Sequence, residues 1–160
     1  MKKKIVLLLI IIALFEGCSS LQVKKEESAF IVMKTKTFKY ADMGFITIGS
    51  SYVNVEIYGV GQALMALEIN SMNVCMSTFE CMEKKDFNKE ILHDSYPETL
   101  LENIFRAKPI FSKKNLKKTS NGFTQKILKD KIYDITYTIK GRERIFRDKI
   151  NKILIKVREQ

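Results

Sequence analysis

The chain has no tryptophan, one histidine, two prolines and three cysteines among its 160 residues. The single histidine, His93, leaves one imidazole for acid–base work, in Leu92-His93-Asp94-Ser95 with no nucleophile motif beside it. It reads as a residue leading into a helix. There is no Cys/His spacing of the metal-ligating kind, no Gly-rich phosphate loop and no framed pair of carboxylates. An enzyme is therefore not expected, nor a metal or a cofactor. Long hydrophobic runs are missing too. The longest, Ile5 to Phe15, has eleven residues, against about 20 for a membrane-spanning helix.

That run has a different use. Lys2, Lys3 and Lys4 precede it, and Glu16-Gly17-Cys18-Ser19-Ser20 follow it. A basic start, a short apolar stretch and a small residue before the cut describe a secretory signal peptide. With a cysteine directly after Gly17, Phe15-Glu16-Gly17-Cys18 resembles the lipobox of bacterial lipoproteins. In that family the cysteine sulfur receives a diacylglyceryl group, the signal is cut before it, and the new amine is acylated. Gly17 and Cys18 match; Phe15 and Glu16 stand where Leu, then Ala or Ser, are preferred. The resemblance implies cleavage after residue 17, a lipid anchor on Cys18, and membrane lipids as its partner. Ser19, in place of the aspartate associated with inner-membrane retention, points to the periplasmic face of the outer membrane.

Removing residues 1–17 leaves 143, enough for one domain with a core. Its charge is uneven, with fifteen Lys or Arg and five Asp or Glu from Lys113 to Gln160. An exported basic chain meets anionic lipid head groups, lipopolysaccharide phosphates or acidic proteins rather than nucleic acid. The two remaining cysteines, Cys75 and Cys81, lie six apart on a stretch that reads as a hairpin. In an oxidising compartment they form either a disulfide or a pair of free buried thiols.

Residues 18–28 read as the acylated cysteine and a polar tether, and residues 29–160 as the domain. Met33, Thr35 and Thr37 alternate with Lys34 and Lys36, the period-2 pattern of a strand with one wet face. Further strands are expected at 43–49, 53–57, 63–69, 72–76 and 79–84. Ser95-Tyr96-Pro97-Glu98 reads as a capping box opening a three-turn helix through Leu100, Leu101, Ile104 and Phe105. A weaker helix begins at Asp86. Residues 112–122 read as a lysine-rich loop, followed by strands at 123–128 and 132–140. A last hairpin joins 144–147 to 153–157. Strands on either side of one principal amphipathic helix predict an α+β fold, an antiparallel, strongly curved sheet packed on that helix.

Residues 53–160 resemble the outer-membrane lipoprotein receptors of the LolB type. The match runs through Val55-Glu-Ile-Tyr-Gly-Val-Gly-Gln-Ala-Leu-Met-Ala-Leu-Glu-Ile69, then Lys108-Pro109-Ile110 after the helix. It continues in Gly122-Phe-Thr-Gln125, Tyr133-Asp-Ile-Thr-Tyr137 and Lys152-Ile-Leu-Ile-Lys-Val157. Tyr133 stands where that family has a tryptophan. The resemblance implies an open half-barrel whose apolar cavity accepts the acyl chains of lipoprotein cargo from a soluble LolA-type carrier. The cavity would be lined by Val53, Val55, Met65, Leu67, Val74, Leu101 and Phe105. It also implies a membrane-facing turn at Val60, and the chain is expected to act as a monomer. Six methionines in the mature chain suit a surface that accepts irregular apolar partners. The alternative is an adaptor lipoprotein whose basic C-terminal face binds an acidic partner or lipopolysaccharide.

Overall fold

The computed structural model describes residues 23–77 and 80–160; Cys18 and the signal-like stretch before it lie outside them. Alternation along the chain becomes a single antiparallel sheet. Its first half is β1 (Val23–Lys34), β2 (Lys39–Gly49), β3 (Val53–Gly59), β4 (Gln62–Ile69), β5 (Asn73–Met76) and β6 (Glu80–Glu83). Two helices follow, α1 (Lys84–Ile91) and α2 (Leu100–Phe105). The second half is β7 (Leu116–Thr119), β8 (Gly122–Lys129), β9 (Tyr133–Lys140), β10 (Glu143–Asp148) and β11 (Ile153–Glu159).

The strand order is β6-β5-β4-β3-β2-β1-β11-β10-β9-β8-β7. The chain starts in the middle, walks to one edge, crosses by the helices to the other edge, and walks back until β11 pairs with β1. β6 and β7 remain unpaired edges, so the sheet is open. Successive side chains in a strand point to opposite faces, and one face here is largely apolar, with Glu27, Gln125 and Arg144 as buried polar exceptions. Ile31 and Met33, Val53 to Ile57, Met65 to Ile69, Ile135 to Ile139 and Ile153 to Val157 all bury their alternate residues there. The helices cover that face, α1 with Phe87 and Ile91 and α2 with Leu100, Leu101, Ile104 and Phe105. Glycines allow the sheet to bend over them: a Cβ on Gly44 would lie 2.0 Å from the Glu56 carbonyl oxygen, and one on Gly122 would lie 2.0 Å from that of Ile139.

Several expectations need correcting. The tether was placed at residues 18–28, but 23–28 already belong to β1, paired with β2 from Val23 onward. The domain therefore begins at or before residue 23, not at 29. The strand read through Thr37 ends at Lys34; the Thr35 hydroxyl accepts the Thr37 and Phe38 amides and turns the chain. There are two short helices rather than one principal one, and α1 is the longer. The capping box does not form, because the Ser95 hydroxyl is held at 2.7 Å by His93 Nδ1 and α2 starts only at Leu100. It stops early as well. Ala107 turns left-handed (φ 53°), with its amide bonded to the Ile104 carbonyl and the Lys108 amide to that of Asn103, the 5→2 and 6→1 pair of a Schellman end. Finally, the loop read at 112–122 contains β7.

Ahead of β7, Phe111, Ser112, Lys113 and Asn115 all have positive φ. Such residues each cost about 1–3 kcal/mol and persist only where the surroundings fix them. The fixing group is Gln125, fully buried on β8. Its Oε1 accepts the Ile110 amide at 2.8 Å, and its Nε2 donates to the carbonyls of Ile110 and Lys114 at 2.9 and 2.7 Å. Gln125→Leu leaves the buried Ile110 amide without its acceptor, at about 1–3 kcal/mol, and takes one donor from the Ile110 carbonyl, which keeps the Lys113 amide, and from the more exposed Lys114 carbonyl. Chemical denaturation is expected to show a loss of about 1–3 kcal/mol, and proteolysis a new cut within residues 110–115.

Candidate functional site

All seven residues expected to line an acyl-chain cavity lie on the inner face, and none is more than 3% exposed. Val53 and Val55 come from β3, Met65 and Leu67 from β4, Val74 from β5, and Leu101 and Phe105 from α2. They belong to one apolar cluster. The helices close over them with Phe87, Ile91, Leu100 and Ile104. The clefts that open to solvent lie elsewhere. One of about 510 Å³ runs over the outer face of β3 to β5, bounded by Asn54, Glu56, Glu68, Asn73 and the Cys75–Cys81 pair; of the seven, only Leu67 touches it.

What holds the helices down is polar, and sequence reasoning missed it. Arg144 on β10 is buried on the inner face, and its guanidinium donates to the Phe105 carbonyl at the end of α2. The same group pairs with Glu27 of β1 and Glu159 of β11. One side chain thus ties α2 to the seam where the two halves of the sheet meet. Arg106 donates to the carbonyls of Gly49 and Tyr52, both at 3.0 Å, and to Glu102 at 2.9 Å. Lys84 at the start of α1 reaches Glu102 at 2.9 Å, linking the two helices. Burial alone would raise the Glu102 carboxyl, but its hydrogen bonds and attraction to Lys84 and Arg106 prevail and hold it below the usual range.

Between the helices, Asn88 Nδ2 donates to the carbonyls of Tyr96 and Pro97 at 3.1 and 3.2 Å. The Tyr96 hydroxyl is bonded to Asp148 on β10. Burial, then that hydrogen bond, push the phenol far above its ordinary value, so it stays protonated and donating. A signal for these groups existed in the sequence: Glu27 is in phase with Ala29, Ile31 and Met33, and Arg144 with Phe146. Charged residues on the apolar phase of a strand require partners inside.

The other singled-out residues fall at separate places. Val60 lies at the tip of the β3–β4 hairpin, 106% exposed and left-handed at φ 51°. Cys75 and Cys81 face each other across β5 and β6 and are joined by a disulfide. Opening so short a loop is expected to cost about 2 kcal/mol. Reduction should free the β5–β6 edge first, read as faster hydrogen exchange in 73–83 with β1 and β11 unchanged. Ser95 Oγ at 2.7 Å and Asp94 Oδ1 at 3.1 Å both approach the same His93 nitrogen, Nδ1, so the three form no relay. Among the described residues no group of three or more His, Cys, Asp or Glu could hold a metal ion. No helix among them is long and apolar enough to cross a membrane.

The surface at one end of the sheet is basic. Lys34, Arg147, Lys149 and Lys152 line one cleft, and Lys34, Lys36, Lys39 and Lys152 an adjoining one. Compared with protein-family models and with curated proteins, the chain matches none.

Proposed function

We propose that this chain is a lipoprotein of the bacterial envelope, anchored through Cys18, that binds an acyl chain between its open sheet and its two helices. On this reading it takes part in lipoprotein localisation at the outer membrane, receiving cargo from a soluble carrier of LolA type. The observation that carries the proposal is the cover on the sheet. The inner face of the eleven-stranded sheet is largely apolar, and what lies over it is two helices of eight and six residues, the shorter tied to the sheet through backbone carbonyls. Helices this short have little stability of their own, so they stay only where the sheet holds them. An acyl chain offers the same face about 0.8 kcal/mol for each buried CH₂. It can replace the helices without leaving the sheet exposed to water.

Hydrogen exchange tests this. Adding a diacylated lipopeptide to the mature chain is expected to change protection across residues 84–113 and to leave β1 and β11 as they were. Unchanged exchange at saturating lipopeptide, or a uniform change over the whole sheet, contradicts it.

A second reading, an adaptor that binds an acidic partner or lipopolysaccharide, is favoured by the two lysine-lined clefts. Its contacts are exposed and screened by salt, so binding that survives high ionic strength argues against it.

A further inference from the structure

We infer that the outer face of β1, β2 and β3 is a membrane-docking face that lies flat on an anionic lipid surface. A sheet with one packed face normally turns polar residues outward. Here the outward positions at mid-strand are apolar. Phe30 of β1 pairs with Met43 of β2, and Val32 with Ala41. The β2–β3 register, Gly44 opposite Ile57 and Phe45 opposite Glu56, continues this block through Tyr58 toward Val60. Met43 is 40% exposed and Phe45 45%, and the Phe45 ring sits edge-on against Tyr58. Contiguous exposed apolar surface of this kind marks an interaction site.

Its rim identifies the partner. Lys34 and Lys39 stand opposite each other at one end of the block, and neither makes an ion pair among the described residues. On the β11 side Lys156 and Arg158 pair in register with Val32 and Phe30. Arg158 places its guanidinium 5.9 Å from the Phe30 ring centre, and Lys156 binds Glu143 at 2.7 Å. Glu26 lies toward the far end; Glu56 stands at the edge of the block opposite Phe45 and accepts the Tyr58 hydroxyl at 2.6 Å. An apolar block with the unpaired Lys34 and Lys39 at one end and Lys156 and Arg158 along its side matches a bilayer interface bearing anionic head groups.

Chain length fixes the orientation. From Cys18 to Val23 the backbone reaches at most about 17 Å. Along β1 from Val23 to Val32, level with the Val60 tip, is about 30 Å. With the strands upright on a lipid-anchored Cys18, Val60 and the Lys34–Lys39 pair stand too far from the membrane to touch it. Lying on the outer face of β1 to β3, the domain sets all of them at the surface and turns the helix-covered face away. The orientation therefore rests on the proposed Cys18 anchor; the docking face rests on register and exposure.

The test uses the mature protein reconstituted in phosphatidylcholine vesicles with and without phosphatidylglycerol. Nitroxide labels are attached at Met43→Cys, Phe45→Cys and, on the distant edge strand β7, Lys118→Cys. Collision rates are measured with oxygen, which concentrates in lipid, and with a water-soluble nickel chelate. The expected result is a several-fold rise in the oxygen-to-nickel ratio at 43 and 45 when phosphatidylglycerol is present. No change is expected at 118, and the rise should be lost in Lys34→Gln/Lys39→Gln. Two results overturn the inference. One is equal water access at all three sites. The other is protection that needs no phosphatidylglycerol and comes with spin–spin broadening between copies, meaning that a second chain covers the face. Intact mass reports separately whether Cys18 is acylated, so a failed anchor is distinguished from a failed docking face.

Discussion

Arg144→Ala is expected to destabilise the protein by about 3–5 kcal/mol, read as a fall in the urea midpoint. The substitution leaves Glu27, whose side chain is 3% exposed, with only the half-exposed Lys25, 2.6 Å away, as its cation. It also leaves the Phe105 carbonyl without its donor and Glu159 with only the more distant Lys25. Replacing the charged pair together, Arg144→Met with Glu27→Leu, should recover most of the loss, because an apolar pair needs no partners. The two variants share a second consequence: α2 loses its tie to the seam, so the amides of residues 100–105 exchange faster even where global stability is restored.

The same group gives the fold an acid limit. Burial would raise the Glu159 carboxyl, but the hydrogen bond and charge of Arg144, helped by Lys25, outweigh it and hold the carboxyl below its ordinary value. A depressed folded value means the contribution is present above the unfolded carboxylate pKa of about 4.3 and is lost as pH falls through the folded value beneath it. Glu159→Gln should flatten stability against pH below about pH 4 and leave the slope near neutrality unchanged.

Phe105→Ala is expected to cost a similar amount, about 3–5 kcal/mol. Phe105 is fully buried, and α2 has only four apolar residues with which to hold the sheet. Removing the largest takes away much of what docks a six-residue helix. The cavity left behind is apolar, and cavities of that kind stay dry and accept small hydrophobic guests. Benzene or xenon should therefore raise the melting temperature of Phe105→Ala and leave the parent unchanged.

The strands were largely legible because their period of two survives wherever one face is apolar, as in Val53–Ile57 and Tyr133–Ile139. Legibility failed where a polar residue took an inner position. The first half of β1 reads as tether because its inner residue there is Glu27, whose buried partner is Arg144, 117 positions away. β7 was read as loop because it is a four-residue edge strand carrying Lys117 and Lys118, the charged composition edges use to avoid pairing. The helix was overextended because the capping box depends on a free Ser95 hydroxyl, and His93 takes it. The seven residues expected to line a cavity are all buried on the inner face, where the alternation of β3 to β5 and the helical spacing of α2 put them. The partners of Arg144 and Arg106, which tie α2 down, were not legible, since each is a backbone carbonyl distant in sequence; only the inward phase of Arg144 hinted at its burial.

Native mass spectrometry of the mature chain with a diacylated lipopeptide tests the central claim most directly. The account predicts one lipopeptide retained per chain, with the adduct lost in Leu67→Asp, which sets a charge in the middle of the apolar face. No adduct in excess lipopeptide, or an adduct that Leu67→Asp leaves undiminished, would contradict it.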